Sequence, residues 1–169
     1  EDWQDVISAA NKLSQLPIYY NDSGRLTIDE LCAIAETKKL TKNIGLVIID
    51  YLQLIRSVER ADQREREVAN LSRELKALAR SLNIPVICLA QLNRECEKRV
   101  PPRPRLFDLR ESGAIEQDAD IVGFLFRPWV YNRDADQHEA HFIIAKSRNT
   151  RTGTIKLVFD GSIQRFDSE

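Results

Sequence analysis

The chain has 169 residues, of which 43% are hydrophobic and 30% charged, and its formal net charge is −1. That is enough apolar material for one packed core and too much for a disordered tail, and the balanced charge excludes a protein that is basic throughout. No apolar run reaches the ~18 to 20 residues of a membrane helix, and Glu1-Asp2-Trp3 is the wrong chemistry for a secretion signal, so a cytoplasmic location is expected.

Trp3, Val6, Ile7, Ala10 and Leu13 recur at helical spacing and predict an amphipathic helix stopped before Pro17. Pro17-Ile18-Tyr19-Tyr20 reads as a short strand, closed by the turn-forming Asn21-Asp22-Ser23-Gly24. Thr27 followed three residues later by Glu30 is a capping box and opens a helix to about residue 36. Leu46-Val47-Ile48-Ile49 is a continuous run ending in Asp50, as expected of a strand buried on both faces of a parallel sheet. The mixed-charge run over 59–67 reads as the solvated start of a helix spanning 62–82, with Val68, Leu71, Leu75, Leu78 and Leu82 on its apolar stripe. A second apolar strand, Val86-Ile87-Cys88-Leu89-Ala90, completes a βαβ crossover.

Residues 91–104 hold three prolines and many charges and read as an exposed loop. Ser112 can cap a short helix to about residue 117, and residues 121–126 form a strand. Residues 141–145 and 154–159 are strands joined by a basic turn containing Gly153, a closing hairpin. The fold class is therefore α/β: one domain over 1–169 with a mainly parallel sheet flanked by helices and an antiparallel hairpin at the carboxyl end.

Charge is unevenly placed. Residues 140–159 carry Lys146, Arg148, Arg151 and Lys156 with no acid, and residues 94–110 carry six basic residues against three acidic ones. Two local basic surfaces on a near-neutral chain point to a directed anionic partner.

An aspartate at the carboxyl end of a buried parallel strand lies where α/β folds place ligands, and Asp50 fits a Walker B carboxylate that meets a Mg²⁺-bound water beside a nucleotide. The same pattern also serves an aspartate that caps the next helix. Gln91 ends the following strand, so it can flank the same crevice and touch a γ-phosphate, or simply hydrogen-bond loop backbone. Lys146 and Arg148 are two apart in a strand or its turn and point the same way; a solvated basic hairpin accounts for them equally. His138 and His141 lack a third ligand nearby, so zinc is not expected. Cys32, Cys88 and Cys96 are far apart and form no Cys-x-x-Cys pair, the pattern of free thiols.

Taken together, Ile48-Ile49-Asp50-Tyr51-Leu52-Gln53-Leu54, Gln91-Leu92-Asn93-Arg94, the run Asp108-Leu109-Arg110-Glu111-Ser112-Gly113 continuing to Asp120, and Ala145-Lys146-Ser147-Arg148-Asn149 with Gly153-Thr154 resemble the bacterial replicative DNA helicases of the DnaB family. The motifs follow the family's order and spacing over nearly the whole chain. The resemblance implies the second half of a RecA-like ATPase domain from a homohexameric ring that uses ATP and Mg²⁺ to move along single-stranded DNA and unwind duplex, with primase and a helicase loader as partners.

It further implies that Asp50 is the Walker B carboxylate and that Gln91 senses the γ-phosphate and relays its state to the DNA loops. Lys146 and Arg148 would reach the nucleotide of a neighbouring subunit, Arg148 as the arginine finger. Arg110, Glu111 and Gly113 would lie in the channel loop that holds DNA phosphates, which suits exposed amides around a glycine where a helix starts.

No Gly-x-x-x-x-Gly-Lys-Ser/Thr motif is formed by glycines 24, 45, 113, 123, 153 and 161. In the family the phosphate loop precedes the Walker B strand by more than the 49 residues before Asp50 here. The chain also lacks methionine and opens on an acid, so it is expected to be an incomplete domain, without the Walker A portion, the catalytic glutamate and the amino-terminal domain, and inactive as an ATPase alone. A different class of function, a non-catalytic module that binds single strands or docks on the ring, remains open from the basic segments alone.

Overall fold

Thr27 shows how local chemistry sets the frame. In the computed structural model, which describes residues 2–24, 26–56 and 64–169 (the backbone alone at 2, 64 and 110–112), it caps a helix as its spacing to Glu30 predicts. The Glu30 N–H donates to Thr27 Oγ1 at 3.3 Å, and the Thr27 N–H donates to Glu30 Oε2 at 2.9 Å. Two helices occupy the first part of the chain, α1 (Asp2–Ser14) and α2 (Ile28–Lys42). The second runs past residue 36 because nothing in Thr37 to Lys42 breaks it, and it stops at Asn43, whose left-handed φ of 51° few residues other than glycine and asparagine tolerate.

The βαβ unit follows as β1 (Val47–Ile49), α3 (Arg64–Leu82) and β2 (Val86–Cys88). The strands pair in parallel, with Val47 opposite Val86 and Ile49 opposite Cys88. Leu71, Val68, Leu75 and Leu78 of α3 pack with Leu31 of α2, Ile49 and Leu52 into one core, in which Leu71 is 1% exposed. Alternate strand residues face opposite ways. Ile48 and Ile87 consequently point out, at 62% and 50% exposure. The expectation of strands buried on both faces thus holds for one face only, because no described residue supplies a second layer.

A short helix α4 (Gly113–Asp118) leads to β3 (Ile121–Phe126), β4 (Glu139–Ser147), β5 (Gly153–Asp160) and β6 (Arg165–Ser168). These form one antiparallel sheet in chain order. The closing hairpin is therefore extended on both sides, and among the described residues this sheet is larger than the parallel pair. Val122, Phe124 and Phe126 of β3 face inward and pack with Leu109 and Ile143 into a second core. Ile115 of α4 touches both cores and joins the two halves.

Two expectations are corrected. Residues 17–20 form no strand: among the described residues no strand pairs with the segment, and Ile18, Tyr19 and Tyr20 are exposed. Residues 91–104 are not simply exposed loop, since Arg94–Lys98 forms a 3-10 turn with Cys96 buried at 7%. Part of the run over 59–67 lies outside the described residues. The three cysteines are free, and burial pushes the Cys88 thiol up to about 12, so it behaves as an apolar filler.

Candidate functional site: two half-sites on one chain

Asp50 and Gln91 stand at the same edge of the parallel pair. Leu89 donates its N–H to Ile49 O at 2.9 Å, which extends the strand register by one residue, and Leu52 donates to Leu89 O at 2.8 Å. The Gln53 side chain then clamps Gln91 from both sides, donating to Gln91 O at 3.4 Å and accepting from Gln91 N–H at 3.3 Å. The main chain of Gln91 is thereby fixed while its own side chain stays exposed. Asp50 is exposed as well, and among the described residues no protein group pairs with its carboxylate. The Asp50–Tyr51 peptide is cis.

Lys146 and Arg148 meet at a different place. As the two-residue spacing predicts, both side chains point the same way, onto the carbonyl end of α4. Lys146 Nζ donates to Glu116 O and, at 3.2 Å, to Gln117 O; Arg148 Nη2 donates to Gln117 O at 2.7 Å. The Arg148 N–H bonds Asp120 O at 2.9 Å, and its Nε lies 3.7 Å from the Asp120 carboxylate, which Lys76 of α3 holds at 2.5 Å. The hydrogen bond from Lys76 lowers the Asp120 pKa first, and the charges of Lys76, Arg148 and Arg80 lower it further. Arg73, Lys76, Arg80 and Arg148 line a cleft of about 250 Å³ with Asp118.

These two pairs are not brought together. Arg80 and Lys76 belong to the half of α3 that delivers the chain to the start of β2, whereas Asp50 and Gln91 follow the ends of β1 and β2. A 19-residue helix, about 28 Å long, runs from one edge of the sheet to the other.

Of the third group, Gly113 opens α4 and is exposed. A Cβ there would meet nothing within 4 Å, so open space surrounds its backbone. The side chains of Arg110 and Glu111 lie outside the described residues; their backbone continues the 3-10 segment Leu106–Ser112 into α4. Among the described residues, no group of three or more His, Cys, Asp or Glu could hold a metal by itself. No described helix is long and apolar enough to cross a membrane.

The model of the DnaB-like helicase C-terminal domain matches residues 1–168. The chain belongs to that family. It is 44% identical over 168 residues to the replicative DNA helicase DnaB of Geobacillus stearothermophilus, a match covering 98% of this chain and 37% of that protein. The DnaB helicase of Pasteurella multocida is likewise 44% identical, over 99% of this chain and 36% of its own length. Among solved structures, a DnaB-like replicative helicase, described with its interactions with primase, superposes with a TM-score of 0.94 at 37% identity, over 100% of this chain and 41% of that one. The RecA-like α/β expectation agrees with this likeness. The chain thus spans little more than a third of the length of these curated relatives.

Three residues important to the geometry were not singled out from the sequence. Gln53 clamps Gln91, Lys76 holds Asp120, and Arg99 pairs with Asp108. Each pairing joins residues far apart in the chain or separated by a proline-rich turn, and spacing alone carries no signal for it.

Proposed function

We propose that this chain is the carboxyl-terminal part, over residues 1–169, of the RecA-like ATPase domain of a replicative DNA helicase subunit, acting in the cytoplasm within a homohexameric ring. The observation that carries this reading is the division into half-sites. Asp50 and Gln91 share one end of the parallel pair, Lys146 and Arg148 share another place, and a neighbouring copy in a ring would supply one pair to the other.

Asp50 would hold a water on Mg²⁺. Magnesium is ordinarily bound through one or two carboxylates plus substrate phosphates, so a single exposed aspartate without a surrounding cage fits that ion beside a nucleotide. The bound ion would supply charge neutralisation on the phosphates. Gln91, with its main chain clamped by Gln53, presents an amide toward a γ-phosphate from a fixed origin. Arg148 of one subunit would place its guanidinium against charge developing on the neighbour's phosphates, with Lys146 beside it. Arg110, Glu111 and Gly113 would line the channel that holds single-stranded DNA. Primase and a helicase loader are the proposed protein partners.

The test compares the chain alone with the chain rejoined to an upstream half bearing a phosphate loop. The isolated chain is expected to show no DNA-stimulated ATP hydrolysis, and the rejoined protein to show it, dependent on Asp50. Turnover by the isolated chain after removal of contaminating helicase, or full turnover in a rejoined Asp50→Asn variant, would refute the proposal.

A further inference from the structure

Between Gln91 and the segment carrying Arg110 lies one buried charged residue among those described, Asp108, which is 3% exposed. Arg99 meets its carboxylate with two prongs, Nη1 to Oδ1 at 2.8 Å and Nη2 to Oδ2 at 2.5 Å. The Arg105 N–H donates to the same Oδ2 at 2.7 Å. The Asp108 carbonyl accepts the N–H of Asn93 at 3.0 Å, and Asn93 lies two residues beyond Gln91. Arg99 also donates to Arg103 O at 2.9 Å and stacks on the Phe107 ring at 4.6 Å from its centre. On the other side of Asp108, Leu109 is buried in the second core, against which Ala90 and Leu92 pack.

Between Gln91 and Leu109, Asn93, Arg99 and Arg105 are thus tied to Asp108, while Leu92, Leu106 and Leu109 pack in the second core. A buried carboxylate with a two-pronged guanidinium has one good arrangement, and removing a partner leaves an uncompensated charge. A displacement of the Gln91 loop acts on Asn93 and Arg99, and both hold the residue two places before Arg110.

We propose that Arg99 and Asp108 are positioning residues that couple the state of Gln91 to the DNA-facing segment over residues 110–113. This rests on the functional reading above and names the physical link within it. Neither residue touches nucleotide or DNA in that reading, so their effect falls on the coupling between the two ligands.

The experiment uses the complete helicase subunit and a fluorescent oligothymidylate, with Kd measured by anisotropy in ADP and in a non-hydrolysable ATP analogue. The ratio of the two Kd values is the coupling, ordinarily ~5- to 150-fold for linked sites. Arg99→Ala is expected to bring that ratio to within about twofold of unity while analogue affinity stays within about twofold of wild type. Arg99→Lys keeps the charge but loses the two-pronged geometry, and should retain an intermediate ratio. Should Arg99→Ala fail to fold, the near-isosteric Asp108→Asn gives the same reading.

A purely structural role would weaken DNA binding equally in both nucleotide states and leave the ratio unchanged. A wild-type ratio in Arg99→Ala or Asp108→Asn overturns the inference alone. A ratio of one in the wild-type protein overturns the proposed function and the inference with it.

Discussion

Mixing two inactive subunits separates a shared nucleotide site from one built within a single chain. Arg148 is 45% exposed on its side chain and makes one 2.7 Å bond to Gln117 O and a long 3.7 Å contact to Asp120. Exposed contacts of this kind contribute ~0 to 1 kcal/mol, so Arg148→Ala should shift the subunit's unfolding midpoint very little. As an arginine finger its loss should instead lower turnover by ~10³ to 10⁵, equivalent to about 4 to 7 kcal/mol of transition-state stabilisation.

In a ring assembled from equal amounts of Arg148→Ala and Asp50→Ala subunits, about one interface in four joins an intact Asp50 to an intact Arg148. DNA-stimulated ATP hydrolysis of the mixed rings should therefore approach a quarter of wild type if interfaces act independently, against near-zero activity for either parent. If both groups served one subunit's own site, no mixture would recover activity. Absence of recovery in rings shown by mass measurement to be mixed would refute the division into half-sites, and normal turnover by Arg148→Ala rings would refute the finger assignment.

Replacing Arg110 by alanine in the complete subunit should weaken single-strand binding and reduce the slope of log affinity against log salt by ~0.7, the value of one lost phosphate contact. An unchanged slope would show that Arg110 faces away from DNA. Asp108 is held below the ordinary carboxylate range, first by its hydrogen bond from Arg99, so its contribution to stability is in place above the unfolded carboxylate value of ~3.9 and is lost as pH falls through the lower folded value. The stability gap between wild type and Asp108→Asn, read from urea unfolding, should be flat from neutral pH to about 5 and narrow below about 4, whereas widening on acidification would contradict the pairing.

Most of the regular elements were legible because each carries its own local chemistry. The capping box at Thr27, the apolar stripe of α3 and the β-branched run before Asp50 dictate helix or strand without help from elsewhere. The strand over 121–126 was likewise readable, but its alternation was not, because the exposed Ile121 and Leu125 are as apolar as the buried Val122, Phe124 and Phe126. Residues 17–20 misled because Ile18, Tyr19 and Tyr20 have strand propensity, but a strand also needs a neighbour and none is present among the described residues. The size of the antiparallel sheet was missed because β6 is short and wholly exposed, so burial leaves no pattern in it.

The site divides along the same line. Asp50 and Gln91 could be placed side by side because parallel strands end together, and Lys146 and Arg148 because alternate strand residues share a face. Gln53, Lys76 and Arg99 act through partners that only the folded chain brings near, and charge or amide character at those positions looks like ordinary surface.

Lys146 and Arg148 resting on the carbonyl end of α4 have a consequence for what can draw them outward. Two cations already satisfied at home lend an external contact only the difference between the two surroundings. A neutral surface offers no better acceptor than the peptide oxygens and the nearby Asp120 carboxylate of the resting seat. On the proposed reading, a polyphosphate with several full charges close together would be a better acceptor. If the pair does serve a neighbour's phosphates, preference for a densely charged anion would be set in part by the seat the cations leave, before any outside pocket adds its own.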